Sequence, residues 1–394
     1  MEAAFDGGRV TSDGGLLLVR EVEERLGVVR RFAECFQDHR DPSRVEHSVQ
    51  DLLRQRVFGL ICGYEDLNDH DALRDDAMLA VAVGKSDTTG QGRRRGRDHG
   101  HPLASASTLL RLEHARAKCA AGERYEKITI DPELVEHFFV EEFLRSYEEP
   151  PAQIVLDIDA TDTPLHGKQE GRYFHGHYGE YIYLPLYIFC GEQLLAVKLQ
   201  TADKGAAHLA VPELDRICAA IVDRWPNTEI IIRGDSGFAN DELMSWCEES
   251  EIDFILGLAR NPRLEKKVQG AMRKAMAAAT TTGEAARRFT EFRYRTSASW
   301  SRERRVVGKA EYLVGGKKNP RFVVTSLPRE RFDARRLYEE LYCARGEAEN
   351  HIKEQQLGLF ADRMSSHTLG GNQLRLWISA VAYTLTRALV IFSG

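Results

Sequence analysis

Residues 152–259 carry the pattern that most narrows the fold. QIVLDIDA at 153–160 alternates like a strand, and YIYLPLYIFC and EQLLAVKLQ read as a hairpin about Gly191. AAHLAVPELDRICAAIVDRW has the three- and four-residue apolar spacing of a long helix. TEIIIRGD is a buried strand, DELMSWCEES a helix and DFILGLA another strand. An order of strand, strand, strand, helix, strand, helix, strand excludes all-helical and all-β architectures. Three sequential antiparallel strands that feed a βαβ extension require one mixed sheet with helices on its faces.

That order predicts a ribonuclease H-like arrangement, which needs a further helix to close it. The flanks supply the rest. Residues 1–148 read as a helical N-terminal domain, with REVEERLGVVRRFAECF, VEHSVQDLLRQRVFGLICGY, STLLRLEHARAKC and PELVEHFFVEEFLRSY at helical spacing, Ser107 as an N-cap, and Pro150–Pro151 as a boundary. Core residues 152–259 are followed by a basic, β-rich insertion at 260–336, in which NPRLEKKVQGAMRKAMAAA reads as helix and RFTEFRYRTSASW, RERRVVGKAEYL and RFVVTSL as strands. Residues 337–394 then return to the core, with ARRLYEELYCARGEAENHIKEQQ as the closing helix and NQLRLWISAVAYTLTRALVIF as an apolar last helix. Arg375 and Arg387 inside that last segment favour core packing over a membrane span.

Charge bears on the partner. The chain carries a formal net charge of -6, yet residues 260–336 hold 21 Lys and Arg against 7 Asp and Glu, leaving about -20 on the remainder. A local basic module on an acidic body suits a polyanion bound on one side. GRRRGRDHGH at 92–101 adds a second patch in a loop between helices. Seven scattered cysteines with no CxxC pair fit reduced, mostly buried thiols, and the absence of a secretory pattern or a long uncharged apolar run places the protein in the cytoplasm, with no membrane partner.

Three acidic segments carry the chemistry. On QIVLDIDATD, Asp157 and Asp159 share a strand face opposite Ile154, Leu156 and Ile158, and two acids in an apolar strand are costly unless solvated, paired or bound to a cation. Asp235 ends the isoleucine run of IIIRGDSGF, at the carboxyl end of a strand where sheets of this class present ligand-binding groups. In CARGEAENHIKEQQLG, a helical period of about 100° per residue puts Tyr342, Arg345, Glu349, Lys353 and Gln356 on one face beside the apolar stripe and turns Glu347 to the other side. Arg345 and Lys353, each four residues from Glu349, can pair with it or with DNA phosphate. Carboxylates without histidine or cysteine partners suit a hard cation: Mg2+ as two ions, with Mn2+ as substitute, holding both the attacking and leaving oxygens of an in-line phosphoryl displacement.

These residues resemble bacterial insertion-sequence transposases of the DDE class, most closely the insertion-sequence family numbered thirteen-eighty. The similarity runs from TSDGGLLLVREVEERLG to the last helix and is carried most specifically by GYEDLNDHDALRDD, LDIDATDTPLHGKQEGRYFHGHYGEYIYLPLYIF, IIRGDSGF, GLARNPRLE and YCARGEAENHIKEQQLGLFADR. The resemblance implies a ribonuclease H-like core interrupted by a β-rich insertion, Mg2+-dependent cleavage at terminal inverted repeats, and transfer of the freed 3'-hydroxyls into target DNA by a homodimer on paired ends. Through its Asp-x-Thr pattern it implies Asp159, followed by Thr161, as the first catalytic acid, with Asp157 as the fallback metal ligand, and Asp235 as the second. Tyr342, Arg345 and Glu349 match a Tyr-Arg-Glu-Lys signature, but Gln356 stands where its lysine belongs, leaving Lys353 one turn earlier.

Smaller signals point the same way. Trp300, within the basic insertion, is a candidate for stacking on an unpaired base, and Arg302 and Arg304, alternating on a predicted strand, are candidates for phosphate contact. The HxH of FHGHYG, with His166 nearby, lacks a fourth metal ligand and reads as part of a DNA-facing loop. Two other functions compete: a nuclease on the same fold that cleaves without joining, and a domesticated DNA-binding protein without chemistry.

Overall fold

Residues 11–119, 125–176 and 178–393 are described by a computed structural model. The chain divides into two compact units, one of residues 1–142, 163–172 and 353–394, the other of residues 143–162 and 173–352.

The first unit is helical. Gly27, at φ 69°, ends helix Leu16–Leu26 in a left-handed turn and starts Val28–Ala33, so the period read as one helix is two. Ser48 and Asp51 close a capping box on Val49–Ile61, and helix Ala106–Glu113 begins at Ser105 rather than at Ser107. The apolar helix Leu369–Ser393, expected with the catalytic core, packs instead on Leu16–Leu26 and Val49–Ile61. Its Arg375 is accommodated because Glu113, itself 2% exposed, accepts 2.7 Å hydrogen bonds from both Arg375 Nη1 and Arg56 Nε. Among the described residues no helix is long and apolar enough to cross a membrane.

The second unit is built on one mixed sheet. Its strands are β1 (Gln153–Ala160), β2 (Leu186–Cys190), β3 (Gln193–Lys198), β4 (Glu229–Gly234), β5 (Asp253–Leu258), β6 (Ala286–Tyr294), β7 (Arg304–Tyr312) and β8 (Arg321–Thr325). They lie side by side as β6-β7-β8-β5-β4-β1-β2-β3. β1, β4 and β5 are parallel; β2 and β3 are antiparallel to their neighbours, turning at Gly191 with φ 56°. Helices α1 (Ala210–Arg224) and α2 (Asp241–Glu249) make the crossovers that parallel strands require. The run from β3 through β2, β1 and β4 to β5 is compatible with a ribonuclease H-like core.

The basic segment does not stand apart as a separate module. β8 pairs antiparallel with β5, Ile255 opposite Thr325, so β6, β7 and β8 extend the same sheet, and α3 (Gln269–Thr282) packs on β6 and β7. Their inward faces are apolar: Val307, Val323 and Leu327 join Ile231 and Ile255 in one buried cluster with Leu337 and Leu341. A good part of the local positive charge is neutralised within the unit, with Arg287 and Lys309 on Glu311, Arg305 on Glu291, and Arg331 on Glu229 and Asp253.

The segment that carries Glu349 is not one continuous α-helix. Leu337–Tyr342 is a turn of π-helix and Cys343–Arg345 a 3-10 turn, and only from there does α4 (Gly346–Leu359) run regularly. Such local changes of winding re-aim side chains and recur at functional sites. The face predicted for a straight helix survives at its centre, because Arg345 and Glu349 still pair at 2.5 Å and Glu347 is exposed.

Candidate active site

β1 and β4 are parallel neighbours, and their register sets Asp157 directly opposite Arg233. Arg233 Nε and Nη2 donate to the two Asp157 carboxylate oxygens at 2.6 and 2.7 Å, and Nη1 donates to Leu341 O at 2.5 Å. Asp157 is 3% exposed and Arg233 6%. A carboxylate that uses both oxygens on a buried bidentate arginine is a structural partner. Burial raises the Asp157 carboxyl and the arginine opposes that rise. Of the two acids on this strand face, therefore, Asp157 is engaged internally. The Arg233 clasp joins β1, β4 and the π-turn, the segments from which the other acids project.

Asp159, two residues on, is half-buried and lies toward Arg345, whose Nη1 is 3.6 Å from Asp159 Oδ2 while Nη2 is 2.5 Å from Glu349 Oε1. Asp235 follows the end of β4, and its Oδ1 accepts a 2.8 Å hydrogen bond from the Gly237 N–H, which holds the carboxylate in the turn. Burial pushes the Asp159 carboxyl up to about 6; Arg345 opposes the rise, and the negative charges of Asp235 and Glu349 add to it. The guanidinium of Arg345 is in turn held charged by Tyr342, Glu349, Asp159 and Asp235, against the effect of its own burial. Asp159, Asp235 and Glu349 thus share one electrostatic neighbourhood around Arg345.

Among the described residues no three acidic, histidine or cysteine side chains converge closely enough to ligate one ion, and Arg345 lies between Asp159 and Glu349. In donor chemistry the three carboxylates nevertheless fit a hard divalent cation. All are oxygen donors, and an acid raised by neighbouring acids is one that a cation would stabilise.

A cavity of about 310 Å³ opens beside Asp235 and is lined by Tyr342, Arg345, Arg260 and Arg321. Arg260 and Arg321 are exposed, and with Arg345 they place three guanidiniums around this opening, donors that suit a phosphate-bearing ligand. Gly257, on the β5 strand beneath, permits the close approach of Tyr342. A Cβ there would lie 2.5 Å from the Tyr342 hydroxyl oxygen and 2.9 Å from Ser236 N. Arg233, Arg260, Arg321 and Gly257 escape sequence reasoning, since their positions depend on strand register and loop packing. The motifs IIRGDSGF and GLARNPRLE contain Arg233, Gly257 and Arg260, but nothing in them marks these roles.

The expected DNA contacts from the basic segment are not available as such. Arg304 is 2% exposed and its guanidinium is taken up by Glu248 at 2.8 Å and Asp241 at 2.6 Å. Trp300 is buried, edge-on to Tyr294 at 5.7 Å and beneath Arg304. Arg302 precedes β7, so it does not share a strand face with Arg304; it is exposed and 3.3 Å from Glu248. Lys353 is exposed on α4, in the part of that helix belonging to the first unit. Of the HxH, His175 is half-buried, and His177 lies outside the described residues.

No curated protein matches the chain. A family model described as transposase DDE domain group 1 matches residues 1–392. Because that match takes in Asp159, Asp235 and Glu349 together with the sheet that assembles them, the chain belongs to the transposase DDE domain family, group 1.

Proposed function

We propose that this protein is a cut-and-paste transposase of the insertion-sequence family numbered thirteen-eighty, which cleaves DNA at terminal inverted repeats and transfers the 3'-hydroxyl ends into target DNA. The observation that carries this reading is the gathering of Asp159, Asp235 and Glu349 around one arginine, on three segments tied together by Arg233. The core would be ribonuclease H-like at 152–259 with the Glu349-bearing segment from 337, residues 260–336 would widen its sheet, and the helices of 1–148 would meet the element end. The work would take place in the cytoplasm on the nucleoid, as a homodimer on paired ends.

Asp159, Asp235 and Glu349 would hold two Mg2+ ions, or Mn2+ in their place. Bound there, the metal supplies charge for the attacking and leaving oxygens of an in-line displacement. Arg345 leaves its carboxylate partners for the scissile phosphate, and Arg260 and Arg321 receive the flanking phosphates in the cavity beside Asp235. Tyr342 forms the wall that orients them. Lys353, exposed on α4, extends the phosphate contact in place of the lysine that Gln356 replaces. Asp157 holds Arg233 and takes no part in binding metal.

The test is strand joining with a pre-cut duplex bearing the inverted repeat that flanks the reading frame, a plasmid target and Mg2+. Joined products are expected. Cleavage without joining would indicate a nuclease, and sequence-selective binding with no chemistry in Mg2+ or Mn2+ a DNA-binding protein. In the same assay Gly257→Ala, which drives a methyl group into Tyr342, is expected to lower joining about a hundredfold through misplacement of the arginine cluster. Removing the hydroxyl with Tyr342→Phe in the same chain should restore only part of the loss, because Ser236 N also lies within 2.9 Å. An unimpaired Gly257→Ala enzyme would show that this wall does not position the substrate.

A further inference from the structure

The first unit contains a cavity of about 360 Å³ with eight lysines and arginines and only three carboxylates among its lining residues. Four of the cations are answered internally: Arg40 by Asp38, Arg44 by Asp41, Arg93 by Glu46, and Arg97 by Asp98 at 3.8 Å. Arg74, Arg95, Arg111 and Lys127 have no ion-pair partner among the described residues. Four cations around one opening, without an ion-pair partner among the described residues, repel one another, and an anion relieves that repulsion.

The wall is held in place. The arginine-rich loop, which composition alone would leave solvated, is fastened by Asp87, whose carboxylate accepts from the N–H groups of Thr89, Gly90 and Gly92 at 2.8 to 3.0 Å. Arg93 fixes the next turn through Glu46 at 2.7 Å and His47 at 2.6 Å. Gly90 lies so close to the backbone of His101 that a Cβ would sit 2.6 Å from it, which closes the loop on itself. The loop can therefore hold Arg95 and Arg97 out to solvent at defined positions. Ser105, Ser107 and Thr108 add hydroxyls on the opposite wall. Tyr125, 60% exposed with the Arg111 guanidinium 5.6 Å from its ring centre, adds an aromatic face. Leu103 is the one aliphatic side chain among the lining residues, so an apolar partner finds no purchase.

We propose that this basic cavity grips the phosphodiester backbone of duplex DNA independently of sequence, at a distance along the chain from the acids that do the chemistry. The assignment rests on the reading of the protein as a DNA transposase. Hydroxyls and guanidiniums around an opening, without a set of donors arranged for base edges, position a duplex without reading it.

The test measures binding of the full-length protein to a fluorescent random-sequence duplex across a salt series, for wild type and for the variant Arg74→Ala/Arg95→Ala/Lys127→Ala. These three side chains have no ion-pair partner among the described residues to lose, and a thermal melt checks that the variant folds as wild type does. The proposal expects the variant to bind at least about tenfold more weakly at low salt and the slope of log affinity against log salt to fall by roughly 2 to 3. Substituting Arg40 and Arg44, whose charges are already paired, should change the slope by less than 1. An unchanged slope in the triple variant, with wild-type strand joining intact, overturns the cradle and leaves the transposase reading standing. Failure of wild type to bind or join any DNA overturns both. Tight binding of a nucleoside triphosphate, lost in the triple variant while duplex binding is kept, identifies a small-anion site and overturns the proposal.

Discussion

Asp159→Asn, Asp235→Asn and Glu349→Gln are each expected to lower strand joining by about a thousandfold or more while the protein remains folded. The asymmetry between activity and stability follows from their surroundings. Asp159 is pushed up by burial and then by Asp235 and Glu349, so removing one charge relieves repulsion among the three acids while Arg345 keeps the remaining carboxylates as partners. Glu347→Gln is the control: Glu347 is exposed, and joining should continue within a fewfold of wild type. Binding of Mn2+, followed by its paramagnetic signal, should weaken in the three active-site variants and stay unchanged in Glu347→Gln. Joining that survives Asp159→Asn would remove that residue from the site.

The second large effect falls on stability. Either Asp157→Ala or Arg233→Met leaves one charge of a buried pair without its partner, and such single losses cost about 3–5 kcal/mol. The arginine variant also frees Leu341 O, the carbonyl that ties the π-turn to β4. Asp157→Leu combined with Arg233→Met replaces the pair with apolar groups of similar volume and should recover most of the unfolding free energy, measured by urea titration. It should not recover joining, because the link from β4 to the Glu349-bearing segment is then gone. If Asp157→Asn unfolds at the wild-type urea concentration and yet cannot join, Asp157 is a metal ligand after all and the clasp is secondary.

Much of this was readable in advance. Alternation in QIVLDIDA, the isoleucine run before Asp235 and the helical spacing of 206–225 predict elements that the structure contains, and their order predicts the mixed sheet. Glu349 rather than Glu347 followed from helix periodicity, even though the turn before it is wound differently. Other readings failed for an identifiable reason. Arg304 looked like a free cation because Glu248 and Asp241 are 56 and 63 residues away, and Trp300 looked available because its cover, Tyr294 and Arg304, depends on the pairing of β6 with β7. The arginine-rich loop at 92–101 reads only as a charged patch because the groups that fasten it, Asp87, Glu46 and His47, lie outside it.

The sequence by itself determined the strand and helix order, the three acidic segments and the face that presents Glu349, because side-chain alternation and helical period are local properties of neighbouring residues. Only the tertiary structure decided which of two aspartates on one strand face is taken up by a buried arginine. Both have the same outlook along the chain, and the difference is made by Arg233, 76 residues further on, which parallel register sets opposite Asp157 and not opposite Asp159. A buried carboxylate must find its counter-charge wherever packing brings one.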